Sequence, residues 1–191
     1  MTEPVKSPAP DYDWRAHYLE LLQSIFLAVS QSHRTESVLQ GIVTGLVERT
    51  GCALARIWLR DKGDICSRCA MRPECAVQTE CLHLKATAGK PINPESGNLW
   101  HRMDGDFQRF PLGARIIGRV GVSGKPEFLR ETAGDPLWIG RADWLRREGI
   151  HTFVGQPLRF RGEILGVLGV FTRELLSEEE VSWLGLFADQ A

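Results

Sequence analysis

The chain has 191 residues, enough for one domain with a short appendage. Hydrophobic residues make up 43% and charged residues 25%, so a core of normal size is possible without disulfide staples. A formal net charge of −1, with Lys and Arg scattered, excludes an electrostatic grip on nucleic acid or on an anionic membrane.

Residues 1–13, "MTEPVKSPAPDYD", hold three prolines and no apolar periodicity and are expected to be a flexible tail. The segment lacks the apolar core of a signal peptide, and no apolar run approaches the ~20 residues of a spanning helix. The expected compartment is therefore the cytoplasm, where thiols stay reduced. Trp14, Tyr18, Leu21, Leu22, Ile25, Phe26 and Val29 predict a first amphipathic helix. Thr35 is placed to cap a second, striped by Val38, Leu39, Ile42, Val43, Leu46 and Val47 and ended by Gly51. "CALARIWLR" (52–60) is apolar on both faces and reads as a buried strand, with Cys52 as a small core residue.

Four of the five cysteines then fall within residues 64–82. The spacing is Cys66-x2-Cys69-x5-Cys75-x5-Cys81. Two residues between Cys66 and Cys69 bring both sulfurs to one side of a tight turn, and the remaining loop has slack to fold Cys75 and Cys81 back. Four thiolates suit a structural zinc site or an iron–sulfur cluster. Zinc ribbons carry two Cys-x2-Cys knuckles and this segment has one, while thiolate softness suits both centres, so the choice stays open. Disulfides and unligated thiols are the plainer alternatives, disfavoured by a reducing compartment and by the exposure of four thiols to oxidation. His83 is near enough to replace one cysteine but is expected to face away.

"LHLKATAG" (82–89) alternates, placing Leu82, Leu84, Ala86 and Ala88 on one face of a strand. Residues 90–108 read as a long loop. A short strand at 109–113 precedes a helix bearing Ile116, Ile117 and Val120, and "PEFL" (126–129) is another brief strand. The glycines at 113, 118, 121 and 124 miss both the dinucleotide and the Walker spacing and are expected to permit close helix–sheet packing. "RADWLRREG" (141–149) is a short helix closed by Gly149. Two strand-like runs joined by Arg161-Gly162 form a hairpin, with Pro157 pointing to an edge or a bulge. The last helix starts with a capping box, Ser177 and Glu180, and its apolar stripe runs to Ala191. The expectation is a chain cut inside that helix, the first part of a longer protein.

Helices at both ends and strands gathered into meander-like pairs predict an α+β fold on a central antiparallel sheet. Helices are expected on one face and a mixed loop and helix region over the other. In this order the segments "VLQGIVTGLVERTGCALARIWL", "FPLGARIIGRVGVSGKPEFL" and "WLRREGIHTFVGQPLRFRGEILGVLGVFTRE" resemble the GAF domain, the small-molecule sensor module of signalling proteins. The likeness covers roughly residues 17–191, so residues 14–191 are taken as one GAF domain with a Cys-rich insertion at 64–82. "GDICSRCAMRPECAVQTECLHLKATAG" with "MDGDFQRFPLG" resembles the N-terminal GAF modules of bacterial enhancer-binding activators and related sensor kinases.

The resemblance implies a regulatory sensor of a small ligand, redox or metal state, acting on an output domain elsewhere in the full-length protein. It implies a homodimer, no direct contact with nucleic acid or membrane, and no enzymatic activity. The metal candidates are Cys66, Cys69, Cys75 and Cys81, holding zinc or an iron–sulfur cluster. A GAF pocket for an unknown small molecule implies walls from Trp100, Phe107, Phe110, Trp138, Trp144 and Phe153, with Asp135 at a turn beside it. Those aromatics can equally be filling the core, and Asp135 before Pro136 can simply initiate a turn. Two alternatives stand beside the sensor. One is a GAF-type reductase of methionine sulfoxide with a reactive cysteine. The other is a ligand-free dimerisation module pairing through Leu21/Ile25/Val29 and Val181/Leu184/Phe187.

Overall fold

The computed structural model describes residues 34–93, 100–130 and 142–189, together with Glu20 and Gln23. The expected tail lies outside these residues, as do Leu21, Ile25 and Val29 of the expected first helix, Asp135 and Trp138, while Glu20 and Gln23 are helical. In chain order come α1 (Thr35–Arg49), β1 (Leu54–Lys62), two 3-10 turns (Cys66–Arg68 and Arg72–Glu74), β2 (Glu80–Gly89) and β3 (Arg109–Pro111). Then follow α2 (Arg115–Ser123), β4 (Glu127–Arg130), α3 (Ala142–Arg147), β5 (Thr152–Phe160), β6 (Glu163–Thr172) and α4 (Glu178–Ala188). No helix among them is long and apolar enough to cross a membrane.

The strands form one antiparallel sheet in the order β3-β2-β1-β6-β5-β4. Each face covers its own core. On one, α1 and α4 lay Leu39, Ile42, Val43, Leu46 and Phe187 over Ala55, Ile57, Leu168 and Val170. On the other, α2, α3 and the connections cover Leu54, Trp58, Leu82, Leu84, Val167 and Phe171. The predicted architecture is therefore present, and strand alternation, interrupted once along β2, assigns these residues to their cores.

Local chemistry explains the element ends. Ser177 Oγ accepts from the Glu180 amide, and the Glu180 carboxylate accepts from the Ser177 amide, completing the capping box. Arg161 (φ 50) and Gly162 (φ 85) are both left-handed, the backbone of a two-residue hairpin whose twist matches its strands. Pro157 pairs with Val167 of β6 and lies past the end of β4, so its missing N–H faces an open edge.

Three expectations need correction. Thr35 does not cap α1: Arg34 holds that position without a side-chain hydrogen bond, and Thr35 is the first helical residue. Leu82, Leu84, Ala86 and Ala88 do not share a face. The β1–β2 register shifts between Ile57 and Trp58, so Ile57 faces Ala86 while Trp58 faces Leu84. That bulge sends the leucines to one core and the alanines to the other. Phe187 is 1% exposed inside the α1–α4 core, so Val181/Leu184/Phe187 is not a face free for pairing.

Candidate functional site

The β1–β2 connection folds through its two 3-10 turns, and this gathers the dispersed cysteines. Cys66, Cys69, Cys75 and Cys81 all line one cavity of about 20 Å³, space for a water or a single ion. All four are free thiols, as is buried Cys52. Cys66 Sγ donates to the Gln78 carbonyl at 3.4 Å, and Cys75 Sγ to the Val77 carbonyl at 3.2 Å. Cys81 stands at the start of β2. Burial pushes its thiol up to about 11, with Cys66 and Cys69 acting in the same direction and Arg109 opposing. Gly63 enters the connection where a Cβ would lie 2.6 Å from the Gln78 oxygen and 2.9 Å from Cys66 Sγ. Any side chain there displaces the first thiol.

Charged residues frame this cavity. Arg109 clasps Asp64 through two parallel hydrogen bonds, Nε to Oδ1 at 2.8 Å and Nη2 to Oδ2 at 2.5 Å. These bonds hold the Asp64 carboxyl far below the usual carboxylate range. His83 is not among the residues that line the thiol cavity. It shares the Cys81 side of β2, is 4% exposed, and sets Nε2 3.9 Å from Asp64 Oδ1 with no hydrogen-bond partner. Burial, and then Arg109, lower its pKa.

Four thiols lining one cavity fit a thiophilic metal by donor type. Among the described residues, however, no three His, Cys, Asp or Glu side chains stand at metal-holding geometry. Two of the sulfurs are turned to carbonyls instead. Loading requires those thiols to release Gln78 and Val77 and to lose their protons.

A second, much larger cavity of about 550 Å³ opens against the other core, within the range of small-molecule pockets. Trp100, Phe107, Phe110, Trp144 and Phe153 all line it, so five of the aromatics singled out in the sequence meet there. Trp100 and Trp144 lie 5.4 Å apart, and Phe107 stacks on Phe110 at 5.5 Å. Trp58 anchors this wall by donating Nε1–H to the Phe107 carbonyl at 2.9 Å and by packing edge-on to Phe110. No cysteine is among the described residues of this lining. Sequence reasoning missed Arg56, which also lines it. The available signal was a charge in mid-strand, Arg56 between Ala55 and Ile57 of "CALARIWLR".

Two ion pairs join the cavities. Asp64 holds Arg109, the neighbour of the cavity residue Phe110. Glu74, between Cys69 and Cys75, accepts from Arg115 Nε at 2.9 Å, and the Arg115 guanidinium lies 5.6 Å over the Phe107 ring. Arg115 opens α2 with φ 48, a left-handed backbone rare for a side chain of its size. Its Nη1 is buried without a hydrogen bond.

Solved structures with this fold span about the same length. The GAF domain of A. aeolicus NLH2, in an inactive state, aligns with a TM-score of 0.63 at 15% identity over 92% of this chain and 93% of its own. The GAF domain of a phosphoenolpyruvate-protein phosphotransferase from Coxiella burnetii gives 0.62 at 21% identity over 92% and 90%. Free methionine-R-sulfoxide reductase from Neisseria meningitidis, in complex with its substrate, gives 0.63 at 19% identity over 98% and 92%. No curated protein matches the chain. The reductase corrects one expectation: this fold carries enzymes as well as sensors, so the absence of catalysis does not follow from it. The family model for the GAF domain matches residues 34–191, and the chain belongs to that family.

Proposed function

We propose that this chain is a sensing module with two linked sites, a four-thiolate metal centre and an aromatic-walled small-molecule cavity, which together set the state of an output module. The observation that supports it best is that Cys66, Cys69, Cys75 and Cys81 all line one cavity. Zinc is the occupant put to the test, because zinc takes four thiolates in a tetrahedral shell. When bound, the metal supplies a fixed charge that clips the connection shut.

The chain's own residues carry the linkage. Drawing Cys69 and Cys75 inward shifts Glu74, which pulls Arg115 and the Phe107 ring beneath it. Asp64 and Arg109 form a parallel connection to Phe110. A ligand in the large cavity pushes on the same two rings, so each site biases the other reciprocally.

Elemental analysis of zinc, iron and labile sulfide on protein purified without air tests this reading. The expected result is about one zinc per chain, lost in Cys66→Ser and Cys69→Ser, with no visible absorption band. Iron with sulfide and a broad visible band would replace zinc by a cluster. Less than about 0.1 equivalent of either metal, with the four thiols freely titratable, would overturn the metal centre.

A further inference from the structure

Along β1, Leu54, Arg56 and Trp58 face the large cavity, so a guanidinium stands between two apolar side chains. Across the sheet, Arg56 is paired with Thr87 and Gly169, neither of which brings a counter-charge. Its Nε donates to Thr87 Oγ1 at 3.2 Å, and Thr87 Oγ1 donates onward to the Trp100 carbonyl at 2.8 Å. This relay orients the guanidinium and leaves Nη1 and Nη2 without hydrogen bonds among the described residues. Burial alone lowers the Arg56 pKa to about 10, with no acidic group offsetting it.

The carboxylates in the same wall are engaged elsewhere. Asp104 accepts from Arg102 at 2.8 Å, and Asp106 sits in the field of that same arginine. Glu148 accepts from the Ile92 amide at 2.9 Å and pairs with Arg173 at 3.5 Å. A half-buried guanidinium that faces the cavity without a counter-charge gives an entering anion a ready partner.

We propose that the large cavity binds a small organic carboxylate with an apolar body, its two oxygens accepting from Nη1 and Nη2 of Arg56. Because Nε is taken by Thr87, the end-on fork is the edge left to a planar anion. The apolar body lies between the Trp100/Trp144 pair and the Phe107/Phe110 stack, where ring faces offer area without competing donors. The inference rests on reading the cavity as the ligand site, and adds the chemical class of the ligand.

The test uses phenylacetate and indole-3-acetate, each against its neutral carboxamide, titrated into the 191-residue chain by calorimetry and tryptophan fluorescence. Trp58, Trp100 and Trp144 at the wall supply the optical signal. Both acids are expected to saturate, with the amides at least about tenfold weaker. Arg56→Met should erase that difference and Arg56→Lys retain part of it, both with native circular dichroism. Amides binding as tightly as acids, or an unchanged acid Kd in Arg56→Met, would overturn the carboxylate assignment while leaving the cavity a ligand site. No saturable response from any of the four probes up to about 10 mM would overturn both.

Discussion

The two cavities differ in how the chain builds them. The thiol cavity is drawn almost wholly from one stretch, residues 63–81, with Arg109 and Pro111 closing it. The large cavity takes residues from β1, β2, β3, α2, α3, β5 and β6. The first is therefore a local device hung on the sheet, and the second is the unfilled part of a core. Their walls should respond differently to substitution. Trp58 belongs to the buried core and to the large cavity at once, at 2% exposure. Trp58→Ala is expected to cost about 3–5 kcal/mol in denaturant unfolding, through lost burial and the freed Phe107 carbonyl. Cys75→Ser, in the metal-free protein, should stay within about 1 kcal/mol of the parent. Equal losses would erase the distinction between device and core.

The same difference decides what could be read in advance. A contiguous motif keeps its spacing in sequence, so Cys66, Cys69, Cys75 and Cys81 stood out as a set before any fold was known. A wall built from distant segments has no spacing to read. Trp100, Phe107, Phe110, Trp144 and Phe153 were reached through family resemblance, and Arg56 was lost inside a strand that scanned as core. The sheet itself was legible because alternation and turn chemistry are local. The bulge that splits Leu84 from Ala86 was not, since it arises from how two strands pair and leaves no mark in either alone.

Where the cavities meet, packing is tight enough to give the next largest effect. A Cβ on Gly118 would stand 2.2 Å from the Pro111 carbonyl oxygen, so the start of α2 must shift against β3. Gly118→Ala is expected to lose about 1–3 kcal/mol in thermal or denaturant unfolding. The same variant should blunt the response of tryptophan fluorescence to metal, because the segment carrying Arg115 and Phe107 is displaced. A variant as stable as its parent would show that α2 slides freely between the cavities.

The ion pairs sharpen the comparison further, with smaller energies. Glu74 is 37% exposed and Arg115 20%, so Glu74→Gln should change stability by no more than about 1 kcal/mol. Its effect belongs to linkage. If the Glu74–Arg115–Phe107 chain carries the coupling, metal binding should survive in Glu74→Gln while its influence on cavity fluorescence falls. Loss of metal binding itself would put Glu74 inside the thiol centre instead.

The smallest effect at neutral pH is confined to alkaline solution, where the two regions again divide. Cys52, under α1, and Cys81, in the thiol cavity, are both raised from 9.0 to about 11, chiefly by burial. A thiol raised in the folded state stays neutral there while the unfolded chain ionises. Its contribution is complete below the unfolded value and lost as pH rises toward the folded one. Metal-free protein should therefore lose stability between about pH 9 and 11. Cys52→Ala and Cys81→Ala should each remove part of that slope in denaturant titrations. Metal loading separates them, because a bound Cys81 is a thiolate at every working pH and no longer titrates. The loaded protein should keep the Cys52 share of the slope and lose the Cys81 share, and an unchanged Cys81 share would exclude that sulfur from the metal.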